Sequence, residues 1–143
     1  YSLPTLLMGW FIGNIAKKYG KNKTTYISFL LGSIVLTTFA FVGKNPFALF
    51  TAVLVFSTFL SITLTTSHSI FTEKINETPK EENVLEAWAD LGGNFGYIVG
   101  PTAAGFLADR VGNLESFSVL GVIGIVCSIF LIFPILFSKK NFE

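Results

Sequence analysis

Hydrophobic residues fill five long stretches of this chain, and short segments rich in lysine, glycine, asparagine and proline separate them. An uncharged stretch marks a segment that a bilayer can hold, since a charge at its centre costs at least a few kcal/mol. The predicted helices cover residues 1–16, 24–43, 46–72, 85–108 and 116–138. The last four have the roughly 20 residues needed to cross a hydrocarbon core, whereas the first is shorter and is expected to begin before residue 1. The pattern predicts an all-α membrane protein with five transmembrane helices.

The composition agrees with a membrane location. Of the 143 residues, 51% are hydrophobic and 13% are charged, whereas a typical soluble domain carries roughly 25% charged residues. The net charge of +1 is too small for a nucleic-acid binder. The single cysteine, Cys127, lies in an apolar run, which argues against a disulfide framework or a thiolate metal site within this chain. We expect a lipid bilayer as the surroundings, with no nucleic acid, metal or cofactor.

Lysine and arginine residues divide unequally between alternate polar segments. Eight lie in the first, third and fifth segments, and two, Lys44 and Arg110, lie in the second and fourth. The eight are Lys17, Lys18, Lys21, Lys23, Lys74, Lys80, Lys139 and Lys140. Because short loops rich in positive charge stay in the cytoplasm, the 17–23 loop, the 73–86 loop and the C-terminal tail are predicted to be cytoplasmic. The mixed charges of the 73–86 loop are interpreted as a solvated loop rather than a partner-binding segment.

The helix predicted over residues 85–108 has three different faces. At roughly 100° per residue, five residues fall within one polar sector of about 80°. They are Glu86, Asp90, Asn94, Tyr97 and Pro101. Small residues recur at every fourth position beside this sector, at Gly92, Gly96, Gly100 and Ala104. Such a ridge lets a second helix approach closely, and Pro101 predicts a bend because it has no amide proton to donate.

Asp90 is the residue of this helix that most needs an explanation. We expect it about 9 Å inside the cytoplasmic helix end, which is too deep for a short carboxylate to reach the headgroups. It either faces a watery cavity, pairs with a cation or holds a proton, or it bonds neighbouring hydroxyls and amides near the interface. His68 shares a polar sector with Ser61 on the preceding helix. This histidine is either a partner of Asp90 in a proton relay or a hydrogen-bonding residue at a helix end.

The spacing of residues in this helix resembles a known family. The pairs Ala89-Asp90 and Gly96-Tyr97 and the run from Gly100-Pro101 to Gly105 resemble the eleventh transmembrane helix of major facilitator superfamily carriers. The residue spacing is most similar to that of the drug:proton antiporter and vesicular amine transporter branch of this family. A second segment resembles the family's cytoplasmic loop after the second or eighth helix, through Gly13, Lys17, Lys18, Gly20 and Lys21. The family has an aspartate where this chain has Lys17.

The resemblance implies a position within a twelve-helix carrier. The helix that begins near Phe47 lacks the arginine and the Gln-Gly pair of the family's N-terminal half, and a basic tail follows the last predicted helix. Residues 1–143 therefore resemble helices eight to twelve, which are part of the C-terminal six-helix bundle. Most of the first seven helices, and with them the N-terminal half of the carrier, would lie outside this chain.

The resemblance also implies a function. By this resemblance, Asp90 is expected to be the protonatable group, and Asn94 and Tyr97 are expected to face the central cavity. The helix-packing and bend motif comprises Gly92, Gly96, Gly100, Pro101 and Gly105. The implied activity is transport of a small solute by proton-coupled alternating access, with antiport of a drug-like or organic cation, as in drug efflux.

Two other functions remain open from the residues alone. The chain could form an oligomeric channel or small exporter, assembled across the glycine ridge, or a membrane scaffold subunit in which Asp90 bonds between helices. An enzyme is not expected, because the chain has no Gly-x-Ser-x-Gly elbow, no His-Glu-x-x-His motif and no phosphate loop.

Overall fold

The structure, a computed structural model, describes residues 12–13, 16, 18–43, 45–77 and 82–137. Five helices have described bounds. They are α1 (Lys21–Thr37), α2 (Phe39–Val42), α3 (Pro46–Glu77), α4 (Glu82–Val111) and α5 (Asn113–Phe137). Residues 12–13, 16 and 18–19 are also helical, and the described part of the chain contains no strand. The predicted all-α fold class is confirmed.

Burial in this protein is the reverse of burial in a soluble domain. Most of the buried side chains in the described part are small and carry a hydroxyl group. They include Thr24, Ser28, Ser33, Ser57, Ser61, Thr66, Ser116 and Ser128. Large apolar side chains lie on the outside instead, among them Ile27, Phe50, Leu64, Val122 and Phe130. Because lipid solvates apolar side chains and small residues allow helices to approach closely, this distribution is that of a membrane protein.

Glycines end two of the helical segments. Gly20 (φ 86°) and Gly112 (φ 103°) have positive φ angles, which residues with a side chain rarely adopt. Their amides donate to the carbonyls of Ala16 and Ala108, each at 3.0 Å, and so close the preceding helical turn. The next helix begins at the following residue in both places. At each of these two turns, a single glycine separates one helical segment from the next.

The helix α1 is the centre of the described bundle. It packs along α3 and along α5, whereas the backbones of α3 and α5 do not approach each other in the described part. The helix α4 packs mainly against α5 and only slightly against α3. At one end, the buried ring of Phe39 in α2 joins three elements, with ring centroids 6.2 Å from Phe56 of α3 and 6.0 Å from Phe117 of α5.

The contact between α1 and α5 depends on two glycines of α5. A Cβ atom added to Gly121 would lie 2.5 Å from the amide nitrogen and Oγ1 of Thr37, and one added to Gly124 would lie 2.5 Å from Oγ of Ser33. The helix backbones thus touch directly, as small residues permit. Beyond this contact, the backbone turns at Thr38 and the Ala40 amide donates to Oγ of Ser118 at 2.9 Å.

Three described helices are long and apolar enough to cross a membrane. They are Lys21–Val42, which combines α1 and α2, Pro46–Glu77 and Asn113–Leu131. They correspond to the spans predicted at 24–43, 46–72 and 116–138. The helix α4 is not among them, because Glu86, Asp90 and Asn94 and its glycines lower its hydropathy. The span at 85–108 stays a prediction, and so does the span at 1–16, most of which lies outside the described residues.

The polar connections are shorter than the predicted loops. The sequence predicts a loop over 73–86, yet α3 continues to Glu77 and α4 begins at Glu82. Lys74 and Glu77 are one helical turn apart and form an ion pair, with 2.6 Å between Nζ and Oε2. This pair stabilises the last turn of α3. The 17–23 loop is likewise helical on both sides of Gly20. Charged residues mark where the chain leaves the lipid, but they are compatible with helix, so charge alone placed these helix ends wrongly.

We expect the substitution Gly121→Ala to destabilise the protein by about 1–3 kcal/mol, because the added methyl group overlaps the backbone of α1. Thermal unfolding of the intact protein in detergent measures this as a lower midpoint. The matched control is Val122→Ala, which places alanine at the neighbouring, exposed position of the same helix. Equal midpoints for the two variants would contradict the described contact.

Candidate functional site

The polar face predicted for α4 is present on one continuous helix. Its residues, from Glu86 to Pro101, extend over about 22 Å along the helix axis. All of them are exposed, and Tyr97 is 83% exposed. Every residue from Asp90 to Thr102 is in fact exposed. In the described part of the chain, this stretch of α4 is therefore covered by no other element.

The glycine ridge of α4 is equally open. A Cβ atom added to any of its glycines would meet nothing within 4 Å. These positions are Gly92, Gly96, Gly100 and, one turn further, Gly105. The glycines that do bring helices together here are Gly121 and Gly124 of α5, which the sequence analysis did not single out. The packing role of the α4 ridge stays a prediction.

The helix α4 continues through Pro101 without interruption. Proline cannot donate to the carbonyl of Tyr97, which weakens the helix at this turn. Next to it, the hydroxyl of Thr102 donates to the carbonyl of Ile98 at 2.9 Å, a bond that often accompanies helix bending. The sequence thus provides both a weakened turn and a local hydroxyl beside the polar face.

The structure does not join Asp90 to the other predicted site residues. Among the described residues, neither the Asp90 carboxylate nor the His68 imidazole has a hydrogen-bond or ion-pair partner. Both residues are exposed, whereas Ser61 is only 8% exposed and lies on α3, the helix that packs along α1. Asp90, Asn94 and Tyr97 share a face, but the proton relay through His68 remains a prediction.

The predicted cytoplasmic loop motif meets the end of α3. Lys21 Nζ donates to Glu73 Oε2 at 2.9 Å, which joins the first turn of α1 to the last turns of α3. Lys18 lies on the surface, with Nζ 5.6 Å from the centroid of the Tyr19 ring. Gly20 makes the turn between them, Gly13 is exposed in a helical segment, and Lys17 lies outside the described residues.

A partly buried hydrogen bond reinforces the same pair of helices. The hydroxyl groups of Thr25 and Thr66 are 2.7 Å apart, and Thr66 itself donates to the carbonyl of Ile62 at 2.7 Å. Thr66 is only 1% exposed. Because Thr66 donates its proton within α3, Thr25 is the donor between the helices, and its single proton is shared between Thr66 Oγ1 and the Lys21 carbonyl of its own helix at 2.9 Å. The α1–α3 contact thus has a polar bond inside it as well as an ion pair at its end.

Sequence reasoning missed Glu73 and the α5 glycines. Glu73 belongs to a segment that the sequence analysis interprets as a solvated loop. The distribution of lysines places that segment on the same side of the membrane as Lys21, so an ion pair between Glu73 and Lys21 could have been inferred. Gly121 and Gly124 are spaced by three in an apolar helix, a weaker signal than the fourfold spacing in α4. No group of three histidine, cysteine, aspartate or glutamate residues in the described part is suited to a metal ion.

Comparison with known proteins gives one match. The family model of the Major Facilitator Superfamily matches residues 1–142. No curated protein and no solved structure matches the chain significantly. The match covers nearly the whole chain, including the loop motif, α4 and α5.

We expect Thr66→Val to destabilise the α1–α3 contact by about 0.5–1.5 kcal/mol, because it removes the acceptor of the Thr25 hydroxyl while preserving side-chain shape. The unfolding midpoint of the intact protein in detergent reports this loss. Thr58→Val is the matched control, since the hydroxyl of Thr58 bonds within α3, to the carbonyl of Leu54 at 2.9 Å. A control variant that unfolds as early as Thr66→Val would contradict an interhelical role for this bond.

Proposed function

The chain belongs to the Major Facilitator Superfamily, and we propose that it is the C-terminal part of a carrier that exchanges an organic cation for protons. Membership of this family makes the chain part of a membrane transporter for a small solute. The proton coupling, the class of substrate and the carrier's N-terminal half are our proposal. The observation that carries it is the long, uncovered polar face of α4, with Asp90 one turn from the Glu86 end of that face.

A helix with this face is not stable against lipid. Placing a carboxyl group in hydrocarbon costs free energy in both its charged and its neutral form. Aspartate and glutamate residues in membrane helices therefore face a water-filled cavity or the interior of the bundle. The outer surfaces of α1, α3 and α5 are apolar and suit lipid, whereas α4 exposes Glu86, Asp90 and Asn94. We therefore assign the polar face of α4 to a water-filled cavity that the N-terminal half of the carrier completes.

The glycine ridge suits the same arrangement. Gly92, Gly96 and Gly100 lie beside the polar face and have open space next to them. A helix of the other half can approach closely there, so that the two halves meet along α4. The weakened turn at Pro101 lies in the polar face itself, at the end away from Glu86 and one residue after Gly100 of the ridge. Rocking of the two halves around a central site then changes which side of the membrane the face meets.

Asp90 is the proposed proton carrier. Protonation removes its charge and favours the state in which the cavity is closed to water around it. Deprotonation favours hydration or the binding of a cation, because the carboxylate then needs a counter-charge. Proton and organic cation thus compete for one group, and this competition is the basis of antiport.

The orientation of the helices is also part of the proposal. The ion pair between Lys21 and Glu73 brings the two lysine-containing segments at 17–23 and 73–86 to the same end of the bundle. Gly43 and Leu114 are in contact at the other end, close to where Arg110 ends α4. This arrangement supports a cytoplasmic location for the first end and for the C-terminal tail.

We expect Asp90→Asn in the full-length carrier to abolish ethidium transport driven by an imposed pH gradient, because asparagine cannot take up or release a proton. Ethidium fluorescence in everted vesicles measures the transport. The matched control is Asp109→Asn, which neutralises the other aspartate of the same helix, near its end. It should retain most of the transport.

The result separates the proposed carrier from the other candidates. Unchanged gradient-driven transport in Asp90→Asn would refute proton coupling through this residue. Loss of folded protein in Asp90→Asn, with unchanged specific transport in the fraction that folds, would favour an interhelical bond in a scaffold. Size-exclusion profiles and vesicle protein levels distinguish the two outcomes.

Cysteine labelling tests the proposed orientation. After Cys127→Ser, which removes the single cysteine of this chain, the variants Asn76→Cys and Asn45→Cys place a thiol at opposite ends of α3. A membrane-impermeant maleimide added to intact cells should label Asn45→Cys and should label Asn76→Cys only after permeabilisation. The reverse pattern would invert the topology.

A further inference from the structure

A charged cavity lies at the end of the bundle where α1 begins and α3 ends. Its volume is about 650 Å³. Four lysines and two glutamates contribute to its wall, namely Lys18, Lys21, Lys23, Lys74, Glu73 and Glu77. Their formal charges sum to +2. The excess of positive charge favours an anionic group, and the volume leaves room for more than the anion alone.

The two ion pairs described in this cavity do not prevent such a group from binding. The side chains of Lys21 and Glu73 are 38% and 55% exposed, and those of Lys74 and Glu77 are 64% and 54% exposed. Ion pairs so accessible to water contribute little stability. Lys21 can therefore turn toward a phosphate oxygen at small cost, and a phosphate accepts several bonds from neighbouring lysines.

An apolar groove continues from the charged cavity. Its volume is about 340 Å³, and it shares Asn22 and Ile70 with the cavity. Farther along, Phe29, Phe71 and Leu131 form its wall, one from each of α1, α3 and α5. Most of the exposed surface of the groove is apolar, and the charged cavity adjoins it at Asn22 and Ile70. The groove is also lined by Thr25, Tyr26, Thr63 and Ser67. The charged cavity and the apolar groove together complement a ligand in which an anionic headgroup is attached to an acyl chain.

We propose that this cavity and groove bind one anionic phospholipid, with the phosphate among Lys18, Lys21 and Lys23 and an acyl chain along Phe29 and Phe71. The groove selects a lipid over a soluble phosphate, because an ion would occupy only the charged cavity and leave the apolar wall of the groove uncovered. The bound lipid bridges α1 and α3 at the end where Lys21 and Glu73 already meet. The proposal does not depend on the transported substrate or on proton coupling.

The test uses the full-length protein in detergent with added dioleoyl-phosphatidylglycerol or dioleoyl-phosphatidylcholine at the same mole fraction. Native mass spectrometry counts the retained lipids, and thermal unfolding reports the stabilisation. We expect phosphatidylglycerol to be retained more strongly and to raise the unfolding midpoint more. Because one basic residue near a membrane contributes roughly fivefold in affinity for anionic lipid, the double variant Lys18→Gln/Lys23→Gln should lose about 25-fold.

Two further variants test whether retention depends on the charges of the cavity itself. Lys139→Gln/Lys140→Gln removes the same charge from the C-terminal tail and should leave retention within about twofold. Glu73→Gln removes a negative charge from the cavity wall and should increase phosphatidylglycerol retention, although it breaks an ion pair. A purely structural role for Glu73 predicts lower stability with no gain in retention.

The proposal is overturned by any of three results. Equal retention of the two lipids would show that the charged cavity does not select an anion. An equal loss in the tail variant would show only general attraction between lysines and anionic lipid. Stabilisation by inorganic phosphate to the same extent as by phosphatidylglycerol would identify a soluble-anion site in which the groove has no part.

Discussion

The arrangement of this bundle depends on satisfying polar groups in a medium that offers no water. Hydroxyl groups on the buried sides of the helices donate to carbonyls one turn earlier in their own helix, as Ser33 does to Phe29 and Ser128 does to Gly124. No buried polar side-chain atom in the described part lacks a partner. Because these hydroxyls are small and already bonded, helices can meet at backbone distance, and the α5 glycines complete the fit against α1. Packing here comes from close contact and interhelical bonds rather than from the hydrophobic effect.

The helix α4 departs from this rule, and the departure locates the proposed site. The other long helices present apolar side chains outward and hydroxyls inward, whereas α4 presents a carboxylate, an amide and a glycine ridge to open space. Functional sites often break the pattern that stabilises the rest of a protein. The family match identifies the chain as part of a membrane transporter, and Pro101 and Thr102 give the proposed site a turn with weakened backbone hydrogen bonding.

Much of the architecture was predictable from the sequence, because uncharged length is a direct consequence of bilayer thickness. The three most apolar helices, the glycine turns at Gly20 and Gly112 and the polar sector of α4 all follow from local residue types. The ends of α3 and α4 did not, since charged residues next to the membrane can be helical or not. The contact of Gly121 with Thr37 and the pairing of Lys21 with Glu73 join residues far apart in sequence. One sequence contains no measure of which distant residues meet, so helix faces were predictable and helix neighbours were not.

The central position of α1 has a consequence for how the protein is made. Its residue Ser33 meets Gly124, which is synthesised 91 positions later. At a ribosome's roughly 5–20 residues per second, about 5–18 s pass before the second glycine exists. During that interval α1 and α3 can form a hairpin, but the serine-lined side of α1 has no permanent neighbour. The contact between α1 and α5 therefore cannot form until Gly124 has been synthesised, so this side of the bundle closes later than the α1–α3 hairpin can form.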